Sequence, residues 1–372
     1  MAIHVNIKFL QDGKAAHNSQ ILTGYKLLEK QGLLKIQYDN HFNFCQQKLY
    51  EHNSIVEVEV DGKILAYDTA DGYQSIMRKD VFDQQLDRVY LYFKRSYAPE
   101  FHIGTNSESK VKPLGLNYHC TCKGNPFDRF ELLGNPLLDA RRFISYMHGD
   151  RKWRHLINYR NFESNNHYEK YNILFLTRLW DTSNINKENL KRAYSYLSEN
   201  EAAILAENMI ESFHNINNTR IAILRKLRDE FPTGGWTGGV EYSDIARKEC
   251  PEFIVDSAIT DKANFMKMLK ENYICIASTG LHNSIGWKTA EYVTNGRAFL
   301  TEPLKYKVTG DFSAGENYIE YTSADSCIEE CIALQNNVGK VHMIENKNAE
   351  YYQKYLSPDQ LILRTLEVAG IL

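Results

Sequence analysis

Between Ile274 and Leu304 the chain reads ICIASTGLHNSIGWKTAEYVTNGRAFLTEPL, and its polar residues fall at spacings that suit an anion. Tyr273 to Ala277 is a short apolar run of the kind a parallel sheet buries on both faces. It gives way at once to Ser278, Thr279, Gly280, His282, Asn283 and Ser284, as a loop at a strand's carboxyl end would. A helix is expected from near Ile285 to Thr294, stopped by Asn295-Gly296, and Ala298 to Thr301 reads as the next strand. In such a unit the helix's amino end offers unpaired N–H groups to a phosphate. Lys288 and Glu291, three apart, share a helix face with Ser284 one turn earlier. Lys288, with Thr289 beside it, would bring a point charge to a diphosphate, and Glu291 suits a pair of ribose hydroxyls. The plainer alternative is a surface ion pair between Lys288 and Glu291, and His282 is either a loop-packing residue or a donor to phosphate.

Other residues could carry chemistry from a first half of the chain. Asp68 and Asp71, in YDTADG after an apolar run, are the carboxylates best placed to act as a general base, followed by Asp12 and His17. An Asx turn with helix capping is the competing reading of the two aspartates. PTGGWTGG, from Pro232 to Gly239, lacks the Gly-Lys-Ser/Thr ending of a P-loop and reads as a flexible loop near a cleft. His119-Cys120-Thr-Cys122 and Cys327-x-x-x-Cys331 lack the paired spacing of a structural zinc site, so no metal is expected. The seven cysteines are scattered and give no disulfide framework.

The elements that would position these groups alternate in an α/β rhythm. His4 to Phe9, Leu34 to Tyr38, Ile55 to Val60, Lys63 to Tyr67, Val89 to Lys94 and Val111 to Leu114 read as strands, with Asp61-Gly62 as a tight turn and Ala15 to Lys30 as a helix. A second domain begins near Tyr171, where YNILFLTRLW is a strand ending at Thr177-Arg178. Helices follow over Asn189 to Phe213, Lys262 to Asn272, Ala324 to Leu334 and Asp359 to Val368. At 372 residues two domains are expected, with a cleft between them. The 44 basic and 47 acidic residues give a net charge of −3, which offers no global attraction to nucleic acid. The six Arg/Lys between Arg141 and Arg160 are either a solvated face or a contact for an anionic acceptor or membrane surface. No run approaches the length of a membrane span and no signal peptide is read at the amino terminus, so a cytoplasmic protein is expected, with 141–160 as a peripheral contact to the membrane's inner face.

Glu291-Tyr-Val-Thr-Asn-Gly296-Arg-Ala-Phe-Leu resembles the second half of the E-x₇-E signature of GT-B-fold glycosyltransferases, bacterial group-1-like enzymes in particular. Thr177-Arg178-Leu179 is similar to the family's Gly-Arg-Leu, about a hundred residues earlier, and Gly310 to Tyr318 resembles its post-strand loop. The resemblance covers Tyr171 to Tyr318. It implies an α/β fold with two Rossmann-like domains facing across a cleft and a C-terminal helix crossing back. The domains would be an acceptor domain over 1–165, a nucleotide-sugar domain over 166–345, and a helical segment over 346–372 packed on the first. Arg178, His282, Asn283, Ser284, Lys288, Thr289 and Glu291 would bind the donor, with Arg178 on its diphosphate and Glu291 on its ribose. The implied activity is transfer of a sugar from a nucleotide-diphosphate donor to a glycan or lipid-linked hydroxyl, without a metal or other cofactor, in cell-surface polysaccharide or glycoconjugate synthesis. Two departures stand out: Asn283 holds the place of the first glutamate, and the lysine usual after the arginine is absent, with Lys288 as its substitute. These leave inverting and retaining outcomes open and make a non-catalytic nucleotide- or carbohydrate-binding protein the main alternative, ahead of a sugar-phosphate epimerase.

Overall fold

The strands form where short apolar runs meet turn residues. In a computed structural model, which describes residues 2–9, 15–39, 54–73, 79–126, 136–145, 157–163 and 170–372, they make two sheets. The first holds β1 (Ile3–Lys8), β2 (Leu34–Asp39), β3 (Ile55–Val60), β4 (Lys63–Asp68), β5 (Leu91–Lys94) and β6 (Val111–Pro113), in the order β2-β1-β3-β4-β5-β6. All run parallel except β3, which is antiparallel to both β1 and β4. The reversal is local: Asp61 and Gly62 take φ of 48° and 73°, a two-residue hairpin turn whose twist matches the strands it joins.

The second sheet is wholly parallel. It contains β7 (Lys170–Thr177), β8 (Trp236–Val240), β9 (Asn272–Ile276), β10 (Ala298–Thr301) and β11 (Ile319–Glu320), in the order β11-β10-β9-β7-β8. Counted by appearance this is 2-1-3-4-5, so the chain changes direction across the sheet between β7 and β9. Ligands of open α/β sheets bind outside the carboxyl ends of strands at such a switch point. PTGGWTGG is not the cleft loop expected of it. Its second half is β8, and its glycines precede or lie within the strand, at the end of the sheet away from the switch-point loops. Gly238 (φ 140°) and Gly239 (φ 148°) are there because the carbonyls of Phe175 and Phe253 lie where a side chain would stand.

The segment expected to be helical over Asn189 to Phe213 is two helices, Lys187–Ala193 and Glu199–Glu230. The longer one starts at a capping box between Ser198 and Glu201, and its buried positions Phe213, Asn217, Arg220, Leu224 and Leu227 follow one helical stripe. A helix over Val338–Tyr351 was not foreseen.

The last helix, Pro358–Val368, leaves the second sheet and crosses to the first. Leu361, Ile362, Leu366 and Ala369 join Val5, Ile7, Leu22, Tyr25, Leu65 and Tyr67 in one core. Tyr67 bonds Tyr25 at 2.7 Å and Thr365 at 2.8 Å, and Lys63 donates to the Ala369 carbonyl at 3.0 Å. Gly24, on the helix Ser19–Lys30, admits the Pro358 carbonyl into the space a Cβ would fill. Two Rossmann-like α/β units with the terminal helix returning to the first define the GT-B class of fold.

Asp12, Cys45 and residues 146–156 of the basic stretch lie outside the described residues. Among the described residues no helix is long and apolar enough to cross a membrane, and no group of three or more His, Cys, Asp or Glu side chains is gathered.

Candidate functional site

The switch point is organised from below by the long helix. Arg220, 6% exposed, donates from Nε to Ser278 Oγ at 2.9 Å, from Nη1 to the Arg178 carbonyl at 2.6 Å and from Nη2 to the Thr279 carbonyl at 3.0 Å. One guanidinium thus ties the end of β7 to the end of β9. All three acceptors are neutral, and burial followed by the charge of Arg178 pushes Arg220 down to about 10. One turn back, Asn217 accepts from the Trp180 N–H at 2.9 Å and donates to the Trp180 carbonyl at 2.8 Å. Arg178 itself is exposed and lies over the Trp180 ring at 4.2 Å.

The loop after β9 is closed by Gly280 N–H to Ser284 O at 2.9 Å and Ser284 N–H to Leu281 O at 3.0 Å. It places His282 (φ 57°) and Asn283 (φ 56°) in the left-handed region, which costs roughly 1–3 kcal/mol per residue and marks functional loops more often than ordinary ones. Glu302, just past β10, holds the loop's start by accepting from the Thr279 N–H at 2.7 Å and its hydroxyl at 2.9 Å. Ser284 is buried before the helix rather than in its first turn, because the helix begins at Trp287. Its N-cap is Gly286, so no side chain caps the amino end. Gly296 (φ 56°) ends it through Gly296 N–H to Val293 O and Arg297 N–H to Tyr292 O, at 3.0 and 2.9 Å.

On this helix Lys288 and Glu291 are not a pair. Glu291, 3% exposed, is bonded by Lys262 from the neighbouring helix Lys262–Glu271, while Lys288 donates to the Leu176 carbonyl and lies 5.5 Å from the Phe265 ring centre. Thr289 is buried, its N–H on the Gly286 carbonyl at 3.1 Å. Desolvation, then the charge of Arg220, pulls Lys288 down to about 7 against the opposing effect of Glu291.

The sign of that shift yields an expected result. Below pH 7 both folded and unfolded chains hold the proton, and the folded state bears the cost of a half-buried ammonium beside Arg220. Between about 7 and the ordinary 10.5 the unfolded chain binds more protons, so stability rises with pH. Lys288→Met removes the cost, along with the bond to Leu176 O at every pH. The melting temperature of the variant minus that of the parent is therefore largest at pH 6 and falls by pH 9. A difference that stays flat or grows with pH contradicts a Lys288 ammonium destabilised by its surroundings.

Across from this loop stand the carboxyl ends of β4 and β5. Asp68 is fully buried and saturated, accepting from Lys94 Nζ at 2.9 Å, Tyr92 Oη at 2.7 Å and the Ala70 N–H at 2.8 Å. That carboxylate ties the ends of β4 and β5 together and has no surface to offer a hydroxyl. Asp71 is partly exposed and bonds Arg95 Nη1 at 2.8 Å, and Arg95 Nη2 reaches the Ile285 carbonyl in the opposite unit. A Cβ on Gly72 would sit 2.6 Å from His282 Cβ, and Tyr306 Oη donates to His282 O at 2.8 Å. Trp287 Nε1 donates to Asn117 Oδ1 at 3.0 Å, with His17 and His119 rings 4.8 and 5.7 Å from the indole. Burial, then Lys262 and His17, hold His119 down to about 3, so it stays neutral near pH 7.

The structure therefore brings Arg178, His282, Asn283 and Asp71 to facing strand ends, sets Lys288 half-buried beneath them, and keeps Ser284, Thr289, Glu291 and Asp68 buried. Sequence reasoning gave no site role to Arg220, Asn217, Lys262 or Glu302, and placed Arg95 only as a polar residue at a strand's end. The first two were legible as polar residues in an apolar helical stripe once the helix is extended past Phe213.

The fold class has solved counterparts. HepE from Anabaena, crystallised with UDP and glucose, is similar over 99% of this chain and 100% of its own, at 10% identity and a TM-score of 0.43. The C-terminal domain of a group 1 family glycosyl transferase (LpcC) from Francisella tularensis is similar over 52% of this chain and 95% of its own, at 10% identity and a TM-score of 0.33. A mutant of S. aureus TarM, in complex with fondaparinux, alpha-GlcNAc-glycerol and UDP, matches 56% of this chain at 13% identity and a TM-score of 0.35, and the match spans 37% of TarM. No protein-family model and no curated protein matches the sequence. At such identities the roles of individual residues rest on this chain's own geometry.

Proposed function

We propose that this chain is a glycosyltransferase that moves a sugar from a nucleotide-diphosphate donor to a hydroxyl of a glycan or lipid-linked acceptor. The observation that carries the reading is the positive charge gathered at the β7/β9 switch point. Arg178 and Arg220 stand there with Lys288 beneath and an uncapped helix amino end beside them, while the nearest carboxylates, Glu302 and Glu291, are already bonded to Thr279 and Lys262. Glu302 keeps its own charge, which acts on Arg220, but the basic groups and the helix end outweigh it, and a diphosphate would balance that excess.

In this reading Arg178 and the helix N–H groups take the diphosphate, and His282 and Asn283 flank it from the loop, with Ser284 buried behind them. Glu291, buried under Lys262, takes the ribose only once Lys262 moves aside and uncovers it. As the glycosidic bond breaks, negative charge grows on the departing diphosphate. Arg178, Lys288 and the helix end neutralise it, which is electrostatic stabilisation of the transition state without need of a metal. Asp71, facing the donor loop from the first unit, is the proposed base for the acceptor hydroxyl, with Arg95 fixing its direction. Asp68 acts one step removed, by anchoring the strand end. A place in cell-surface polysaccharide or glycoconjugate synthesis, in the cytoplasm, with 141–160 at the membrane face, is the biological setting proposed.

A panel of nucleotide sugars incubated with candidate glycan acceptors, with the product anomer read by NMR, tests this. One donor releasing its nucleotide only when acceptor is present is the expected outcome, and Asp71→Asn slows that release at least a hundredfold. The second reading, a non-catalytic nucleotide- or carbohydrate-binding protein, is favoured by Asn283 and by the prior engagement of Glu291 with Lys262. Binding of nucleoside diphosphate without release from any donor would establish it.

A further inference from the structure

Asn217 is neutral and buried, and its amide closes two hydrogen bonds around a single residue, Trp180. This pairing copies the N–H and C=O exchange of a neighbouring strand, just where β7 has ended and no strand is left to supply it. Trp180 in turn carries the guanidinium of Arg178 on its ring face at 4.2 Å and packs against Phe213, one turn before Asn217, at 5.6 Å between ring centres. Arg220, on the same stripe, fixes the Arg178 carbonyl. Backbone and ring of the segment Arg178 to Trp180 are thus both held from the long helix, while the Arg178 side chain stays exposed.

We infer that Asn217 is a positioning residue that sets the affinity of the site for a diphosphate solely through Arg178. The inference rests on the proposed donor site and deepens it. An exposed arginine on a free loop loses rotamer entropy when it binds an anion. One laid on a locked indole has lost it already, so less is surrendered per bond formed. Asn217 has no charge and faces the backbone of Trp180, so its removal can reach an anion only by freeing that segment.

The test is a double-mutant cycle read by calorimetric titration of the full chain with UDP, ADP and GDP as probes. Asn217→Ala is expected to weaken the best probe about tenfold. In an Arg178→Ala background the same change has no further effect, because nothing remains for Asn217 to position. Circular dichroism melts of each variant identify any that fails to fold, and Trp180→Phe, which keeps an aromatic face for Arg178 without touching Asn217, serves as the second variant and retains at least a third of the parent's affinity.

Equal losses from Asn217→Ala in the presence and absence of Arg178 would overturn the inference, as would parent-like affinity in the folded Asn217→Ala protein. Failure of the parent chain to bind any of the three probes is a distinct outcome. It removes the donor site itself, and the role of Asn217 with it.

Discussion

Arg178→Ala is expected to weaken nucleoside diphosphate binding roughly 10- to 100-fold while leaving the melting temperature close to that of the parent. The side chain is exposed, stacks on Trp180 and, among the described residues, forms no ion pair, so the unliganded fold loses little without it. A hydrogen bond to a charged group contributes about 1.5–3 kcal/mol, and each 1.4 kcal/mol is about a factor of ten in affinity. Arg178→Lys separates charge from shape. The ammonium keeps the attraction but gives up the planar fork and the stacking on the indole, and its affinity should fall between parent and alanine variant. Titration calorimetry on the three proteins checks the order. Equal affinities would move the anion away from the end of β7.

Gly24→Val is expected to have the largest effect on stability. Its Cβ would overlap the Pro358 carbonyl, which is backbone and has no rotamer with which to yield, and Ile362 closes the same space. The helix Pro358–Val368 must lift, exposing Leu361, Ile362 and Leu366 and straining the Tyr25–Tyr67–Thr365 chain of hydrogen bonds. Overpacking of this kind costs about 3 kcal/mol. A glycine replaced within a helix ordinarily gains from helix propensity, so a large loss identifies the contact rather than the helix as the cause. A denaturant midpoint measured alongside limited proteolysis gives the readout. The variant should unfold at lower denaturant and be cut first between Tyr352 and Pro358. An unchanged midpoint would mean that the terminal helix does not seal the first unit.

How much of this was legible depended on which force shaped each element. β3 and β10 were bounded correctly from sequence, since apolar runs flanked by turn residues fix strand limits locally. β8 was not, because its glycines answer to carbonyls of Phe175 and Phe253 brought from elsewhere in the chain. The long helix seemed to end at Phe213, where His214-Asn-Ile-Asn-Asn-Thr dilutes the apolar period. Tertiary contacts carry it on, with Asn217 and Arg220 in the stripe because strand ends, not other apolar side chains, lie opposite them.

The candidate site divides in the same way. The run from Tyr273 to Thr294 reads as strand, polar loop and helix, and Arg178 as a strand-end arginine. Pairings could not be read from spacing. Lys288 and Glu291, neighbours on one helix, turn to different partners from distant segments, Leu176 and Lys262. Asp68 and Asp71 look equivalent in YDTADG, yet one is sealed by Lys94 and Tyr92 and the other opens toward the facing loop.

The most direct measurement is a crystal structure of the chain soaked with a nucleoside diphosphate. Phosphate oxygens are expected within hydrogen-bonding distance of the Arg178 guanidinium and the amino end of the helix Trp287–Thr294, with the ribose turned toward Glu291. Diphosphate bound elsewhere on the molecule, with the β7/β9 switch point still empty, would contradict it.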